Sequence, residues 1–272
     1  MNAGRENSEG AQLGALVLAA GDEFVPPTAE AFNLPPIFGW VTKPMLLAVL
    51  SVIIIVAFFL LTTRKMSIVP GKAQFLAESL YNFGRNNIAR EQIGTADFLR
   101  FVPLILSLFT FILVNNLFGL VPFLQFPTMS HIGFPLALSV LVVYPVYHYA
   151  GFRKHGFAGY LRNQLVPPGA PKFVYILLTP IEFFTKFVMN PITLAIRVFA
   201  AMFAGHLLIM LFGISAEFLL LHGEGLLKAI SAFSFAGALA ITFIEALIMV
   251  IQAFIFALLS ANYIGAALAE EH

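Results

Sequence analysis

Four side chains able to do acid–base or electrostatic chemistry lie inside apolar sequence. Arg197 and His206 fall within PITLAIRVFAAMFAGHLLIMLF, and Glu245 and Gln252 within IEALIMVIQAFIFALL. Charges embedded in lipid are rare, and by default they mark ion pathways, relays or counter-ions. Imidazole and carboxylate titrate nearest neutral pH and can pass a proton on. A guanidinium keeps its proton. It serves instead as a fixed positive barrier and as an attractor for a passing carboxylate. Less active roles exist for each residue: Arg197 as a structural cation paired with Glu245 or a carbonyl, His206 as a core histidine, Gln252 as an interhelical hydrogen-bonder.

Such residues need helices that hold them at defined depths. Ile192–Leu221 and Leu226–Ala267 are long and apolar, with Gly223, Glu224 and Gly225 between them. Folded as an antiparallel hairpin, they place residues at equal depth when the midpoint of their numbers falls at the turn. The midpoint is 225.5 for His206 with Glu245 and 224.5 for Arg197 with Gln252. One hairpin therefore predicts two stations, separated by roughly 10–14 Å at a rise of ~1.5 Å per residue. Around the first helix, Asn190, Thr193, Ala200, Ala201 and Ala204 share the Arg197 side, with Gly205 at its margin. That surface is small enough for another helix to approach closely. His206 points nearly the opposite way, among Phe199, Met202 and Met210. Ala238, Glu245, Gln252 and Tyr263 form a stripe on the second helix, with Thr242 and Ser260 alongside. No carboxylate of this chain is expected against Arg197, so a partner is expected to bring one.

Two further groups of residues lead toward these stations. Glu182, Lys186, Asn190 and Thr193 approach Arg197 at spacings of four, four, three and four, the pattern of a cleft opening from the cytoplasm. Glu182 and Lys186 are equally an i,i+4 pair that neutralises itself. Asn115 and Asn116, near the end of an earlier span, are placed to wet a route toward Glu245 and His206 from outside.

The rest of the chain fits an all-α integral membrane protein. Of 272 residues, 60% are hydrophobic and 11% charged, too apolar for a soluble domain. The net charge of +1 gives no pull on nucleic acid. The absence of cysteine excludes disulfides and thiolate metal sites. No phosphate loop, metal cluster or nucleophile triad occurs, so neither cofactor nor metal nor directly bound nucleotide is expected, and no catalysis by this chain alone. Apolar runs predict about three transmembrane helices, near Met45–Thr63, Phe101–Val121 and Phe134–Tyr149. A further apolar run, Phe173–Val188, precedes the two long C-terminal helices, which form a tilted hairpin. The sequence KAQFLAESLYNFGRNNIAR, after Pro70–Gly71, repeats Phe75, Leu76, Leu80 and Phe83 at helical spacing and predicts an interfacial amphipathic helix. Phe152–Pro171, rich in glycine and proline, reads as a loop. Residues 1–43 read as an extracytoplasmic tail and 44–272 as one polytopic membrane domain. The run Leu13–Ala20 is too short to span and is not expected to be a cleaved leader. The basic connections carrying Arg64 to Arg100 and Arg153 to Lys172 belong in the cytoplasm by the positive-inside rule, with the N-terminus outside and the C-terminus inside.

The run Ile196–Arg197–Val198–Phe199–Ala200–Ala201–Met202–Phe203–Ala204–Gly205–His206, with Glu245 and Gln252–Ala253–Phe254–Ile255–Phe256 downstream, resembles the a subunit of bacterial F-type rotary ATP synthases. The likeness extends from Lys43–Pro44 to the C-terminus. It implies a stator in a bacterial plasma membrane, beside a ring of c subunits and tied to a b-subunit stalk and the other synthase subunits. Two offset half-channels would feed and drain the ring's carboxylates. Arg197 matches the family's essential arginine and Gln252 the glutamine at its level, while His206 and Glu245 occupy the outer relay positions, in an order that other members reverse. Ala201 replaces an asparagine common in the family, and the segment between His206 and Glu245 is longer than in some members. Two rivals remain: a self-contained secondary transporter, which would show inverted repeats, and a purely structural subunit, which leaves the four polar residues unexplained.

Overall fold

The structure is a computed structural model that describes residues 24, 26–32, 35–37, 39, 41–64, 67–121, 124–165 and 172–269. The run Leu13–Ala20 lies outside them. Six helical elements follow in chain order: α1 (Lys43–Thr63), α2 (72–93), α3 (Val102–Leu117), α4 (Gly133–Leu165), α5 (172–222) and α6 (Leu226–Leu268). By length and composition, α1, α4, α5 and α6 can each cross a bilayer; α3 is a shorter apolar helix of 16 residues. The described residues thus form an all-helical membrane architecture.

α6 is the central element, packed along α5 and crossed by α3 and α4. Its contact face is made of small residues, Ala253, Ala257 and Ala261, all fully buried. With little hydrophobic drive between helices in lipid, such residues earn their place by letting backbones approach. Ile105 and Ile112 of α3, Val198 and Met202 of α5, and Met249 and Phe256 of α6 complete the core. The α5–α6 turn falls at Gly223–Gly225, as the hairpin register expects. Gly225 has φ +53°, open to glycine without strain. At the other end of α6, a Cβ on Gly265 would run into the carbonyl of Gln92, so α2 docks there by direct backbone approach.

α2 combines an α-helical Lys72–Asn82 with a π-helical Phe83–Arg90 and a closing turn, Glu91–Ile93. Its apolar residues split between two surroundings. Leu80 and Phe83 pack into the core, whereas Phe75 and Leu76 remain exposed.

Two expectations need correction. Phe152–Pro171 is not a loop as far as it is described: α4 continues to Leu165, bending at Gly156, where φ is +71°. After the bend, the Tyr160 ring covers Gly151, and its hydroxyl meets His148 Nδ1 at 2.8 Å, which closes the segment back on the helix. The run Phe173–Val188 is not separate from the long helix that follows. α5 is continuous through Pro180 and Pro191, with a π-helical turn at Phe184–Met189. Proline lacks a donor and clashes with the preceding turn; the wider π turn makes room for Pro191. Ser139 of α4 donates to the Pro191 carbonyl at 2.6 Å and fixes this region. The described residues before α1 pack against the bundle. Ala29–Phe32 form a 3-10 turn, and Phe32 is buried between Phe126 and Phe203. Phe24 meets Phe218 at 5.6 Å.

Candidate functional site

The hairpin register holds in the structure. A Cβ on Gly205 would lie 3.2 Å from the Cδ and Oε1 of Glu245, so that carboxylate rests against the α5 backbone beside His206. Carried two turns further along both antiparallel helices, the same register sets Gln252 level with Arg197 and Val198.

The two stations differ in surroundings. Glu245 is 1% exposed and His206 8%. Neither Glu245 oxygen has a hydrogen-bond partner among the described residues, and neither does His206 Nδ1. Buried polar groups are normally paired, and those left unpaired call for a functional account. Phe32 packs edge-on to the imidazole at 5.9 Å, and the backbone of Gln125, with φ +42°, faces it. Arg197 is exposed, on a face shared with Thr193, Ile196, Ala200 and Ala204. Among the described residues no carboxylate pairs with it. Tyr263 lies within electrostatic range of the guanidinium. Gln252 is half-buried with its Oε1 unpartnered.

The two asparagines of α3 part company. Asn116 donates to the Met249 carbonyl at 3.3 Å, one turn of α6 from Glu245. Asn115 turns to α1 and donates to Ser51 Oγ at 2.7 Å, as well as to Phe111 in its own helix. Consecutive helical residues diverge by ~100°, so the two amides face different neighbours. Both Oδ1 atoms remain unpartnered.

The Glu182–Thr193 series is broken in the same physical sense. Its even spacing assumes α pitch, and the π turn adds a residue between Lys186 and Asn190. Lys186 is held by Glu182 at 3.1 Å and by the Gln164 carbonyl at 2.7 Å. Asn190 is half-buried, and Thr193 is exposed one turn before Arg197. Only Thr193 clearly accompanies the arginine.

Sequence reasoning missed two contributors. Gly205 seats Glu245, and Phe32 closes over His206 from a segment taken for a tail. The Ala204–Gly205 step just before His206 was a signal available for the first. Nothing in the spacing of the N-terminal residues points to the second.

Residues 45–265 match the family model described as ATP synthase A chain. A protein of Pseudarthrobacter chlorophenolicus named ATP synthase subunit a is 45% identical over 266 residues, covering 95% of this chain and 99% of that one. Namesakes from Nocardioides sp. and Streptomyces lividans are 42% and 39% identical, each over 93% of this chain. They cover 96% and 90% of those relatives. With the match running through every described membrane helix and both polar stations, the chain belongs to the ATP synthase A chain family.

Proposed function

We propose that this chain is the stator channel of an F-type ATP synthase, passing protons between two half-channels and a rotating ring of carboxylates. The observation that carries this is the split between the stations. Among the described residues Arg197 stands exposed and without a carboxylate partner on a surface of small residues, while His206 and Glu245 are buried at another depth on a different side of α5.

A proton from the outer side reaches Glu245 and His206, aided by Asn116, and neutralises a ring carboxylate that is then free to enter lipid. After nearly a full turn, that carboxylate meets Arg197. The fixed positive charge favours its ionised form, and the proton leaves by the opposite side, past Thr193. Arg197 never carries the proton, so the two routes do not short-circuit. A potential of 100 mV supplies about 2.3 kcal/mol per charge, so several protons serve each ATP made elsewhere in the complex. The ring packs on the Ala200–Ala204 face, and Gln252 stands beside the arginine to orient the arriving carboxylate. The b-subunit stalk holds the chain still against the ring. The basic end of the bundle, where α2 and the α4–α5 connection lie, faces the cytoplasm, and the N-terminus lies outside.

Arg197→Ala tests this directly. The expected result is no ATP-driven proton pumping in inverted membrane vesicles, with the subunit still present in the membrane. Pumping at the unmodified rate would end the proposal.

A further inference from the structure

We propose that a cavity at the basic end of the bundle binds the phosphodiester headgroup of an anionic phospholipid. The cavity measures about 630 Å³ and lies between the start of α3, the middle of α4 and the end of α6. Among the described residues, Arg100, Arg153 and Lys154 line it together with one carboxylate, Asp97. Asp97 is already engaged, by Arg100 and by Lys154 at 3.3 Å, so among the described lining residues three cations stand against one carboxylate. Arg153 is exposed and has no ion-pair partner among the described residues.

The remaining wall is apolar. Val146 and Tyr149 of α4 continue from the cations toward the membrane-spanning part of the helix, and Tyr149 is 65% exposed. Leu99, in the turn before α3, is 58% exposed at the same end. A ligand that satisfies both walls is anionic at one end and hydrocarbon at the other. Free phosphate would leave the apolar wall unused. Basic pockets between membrane helices hold anionic headgroups in this way, and a tyrosine at headgroup depth presents an apolar ring with a polar tip. A guanidinium adds paired donors matched to two phosphate oxygens. None of Arg197, His206, Glu245 and Gln252 lines the cavity, so this site stands or falls independently of the proton route.

The test uses the intact complex in phosphatidylcholine nanodiscs with graded phosphatidylglycerol, and native mass spectrometry counts the anionic lipid retained. A cation within reach of the bound headgroup is worth about a factor of five, an effect that falls off within a Debye length. Arg153→Gln should weaken retention by about fivefold and Arg100→Gln with Arg153→Gln by about thirtyfold. Arg153→Lys should restore most of the binding. Arg90→Gln, which removes an exposed cation from α2 at the same end, should leave retention unchanged. ATP-driven pumping measured alongside should persist in Arg153→Gln, confirming an assembled complex. Unchanged retention in the double variant would overturn the proposal. So would equal weakening by Arg90→Gln, displacement of the lipid by inorganic phosphate, or a photo-crosslinker at Tyr149 that captures a neighbouring subunit instead of lipid.

Discussion

Arg197 and Glu245 occupy adjoining helices, yet the protein treats them in opposite ways. The arginine stands on an exposed face, near Thr193 and Tyr263 and with no carboxylate paired to it among the described residues, whereas the glutamate is sealed at 1% exposure against Gly205 with neither oxygen paired among those residues. A fold built only for stability would have joined these charges, since an unpaired charge in an apolar setting costs several kcal/mol. Keeping them on different faces and at different depths leaves each free to meet something that arrives from outside. In the proposed function, the exposed site receives the ring and the sealed one a proton.

The largest expected effect comes from collapsing that difference at the exposed side. Arg197→Gln should abolish ATP-driven pumping while changing the stability of the assembled subunit by no more than about 0.5 kcal/mol, as for surface substitutions without partners. Quenching of a pH-sensitive dye in vesicles, alongside the thermal resistance of the complex, separates the two. A large loss of stability would mean that the arginine has a structural partner after all. At the sealed side, His206→Ala and Glu245→Ala should each reduce pumping severely. The exchange of His206 and Glu245 should retain more activity than either, because it keeps both proton-exchanging groups at one level. An exchange no better than the single changes would argue against a shared relay.

How much of this was legible in the sequence depended on which physical rule was involved. The pairing of depths was readable because helix rise is constant and Gly223 and Gly225 mark the turn. Arg197 facing outward was readable because Ala200 and Ala204 share its side. The course of Glu182 to Thr193 was not, since the π turn ahead of Pro191 changes the rotation per residue and no composition signal announces it. The helical course beyond Phe152 was hidden by Gly156 and Gly159, residues that suggest a loop; here Gly156 bends a helix that Tyr160 and His148 close, and Gly159 continues it. Asn115 and Asn116 show the limit most plainly: two identical neighbours, one tied to α1 and one to α6, a choice made by packing rather than by residue type.

Glycine offers a subtler way to sharpen the contrast. Within α5, Gly205 meets the Glu245 carboxylate at 3.2 Å from a would-be Cβ, while Gly213 has nothing within 4 Å. Both substitutions to alanine relieve the entropic cost of glycine in a helix, about 0.5–1 kcal/mol each. Gly213→Ala should therefore be neutral or stabilising, with normal pumping. Gly205→Ala must push the carboxylate aside by a few tenths of an ångström and should slow pumping several-fold with little change in assembly, on the scale by which small displacements of reacting groups reduce rates. Equal pumping rates in the two variants would show that the position of Glu245 is not critical.

The smallest effect distinguishes the two asparagines. Asn115→Leu removes the bond to Ser51, but the Ser51 hydroxyl already donates to the Ala48 carbonyl at 2.7 Å, so its proton is not left unsatisfied. The expected cost is that of one interhelical hydrogen bond in a membrane, about 0.6 kcal/mol, with pumping unaltered. Asn116→Leu forfeits a comparable bond to the Met249 carbonyl, so its effect on thermal resistance should be similar. Its effect on function should not be, because the group removed stands one turn from Glu245 on the proposed outer route. A drop in pumping confined to the Asn116 variant would assign that route to the α6 side of α3. Equal drops would place the water path on the α1 side as well, and the sealed station would then be reached by two approaches rather than one.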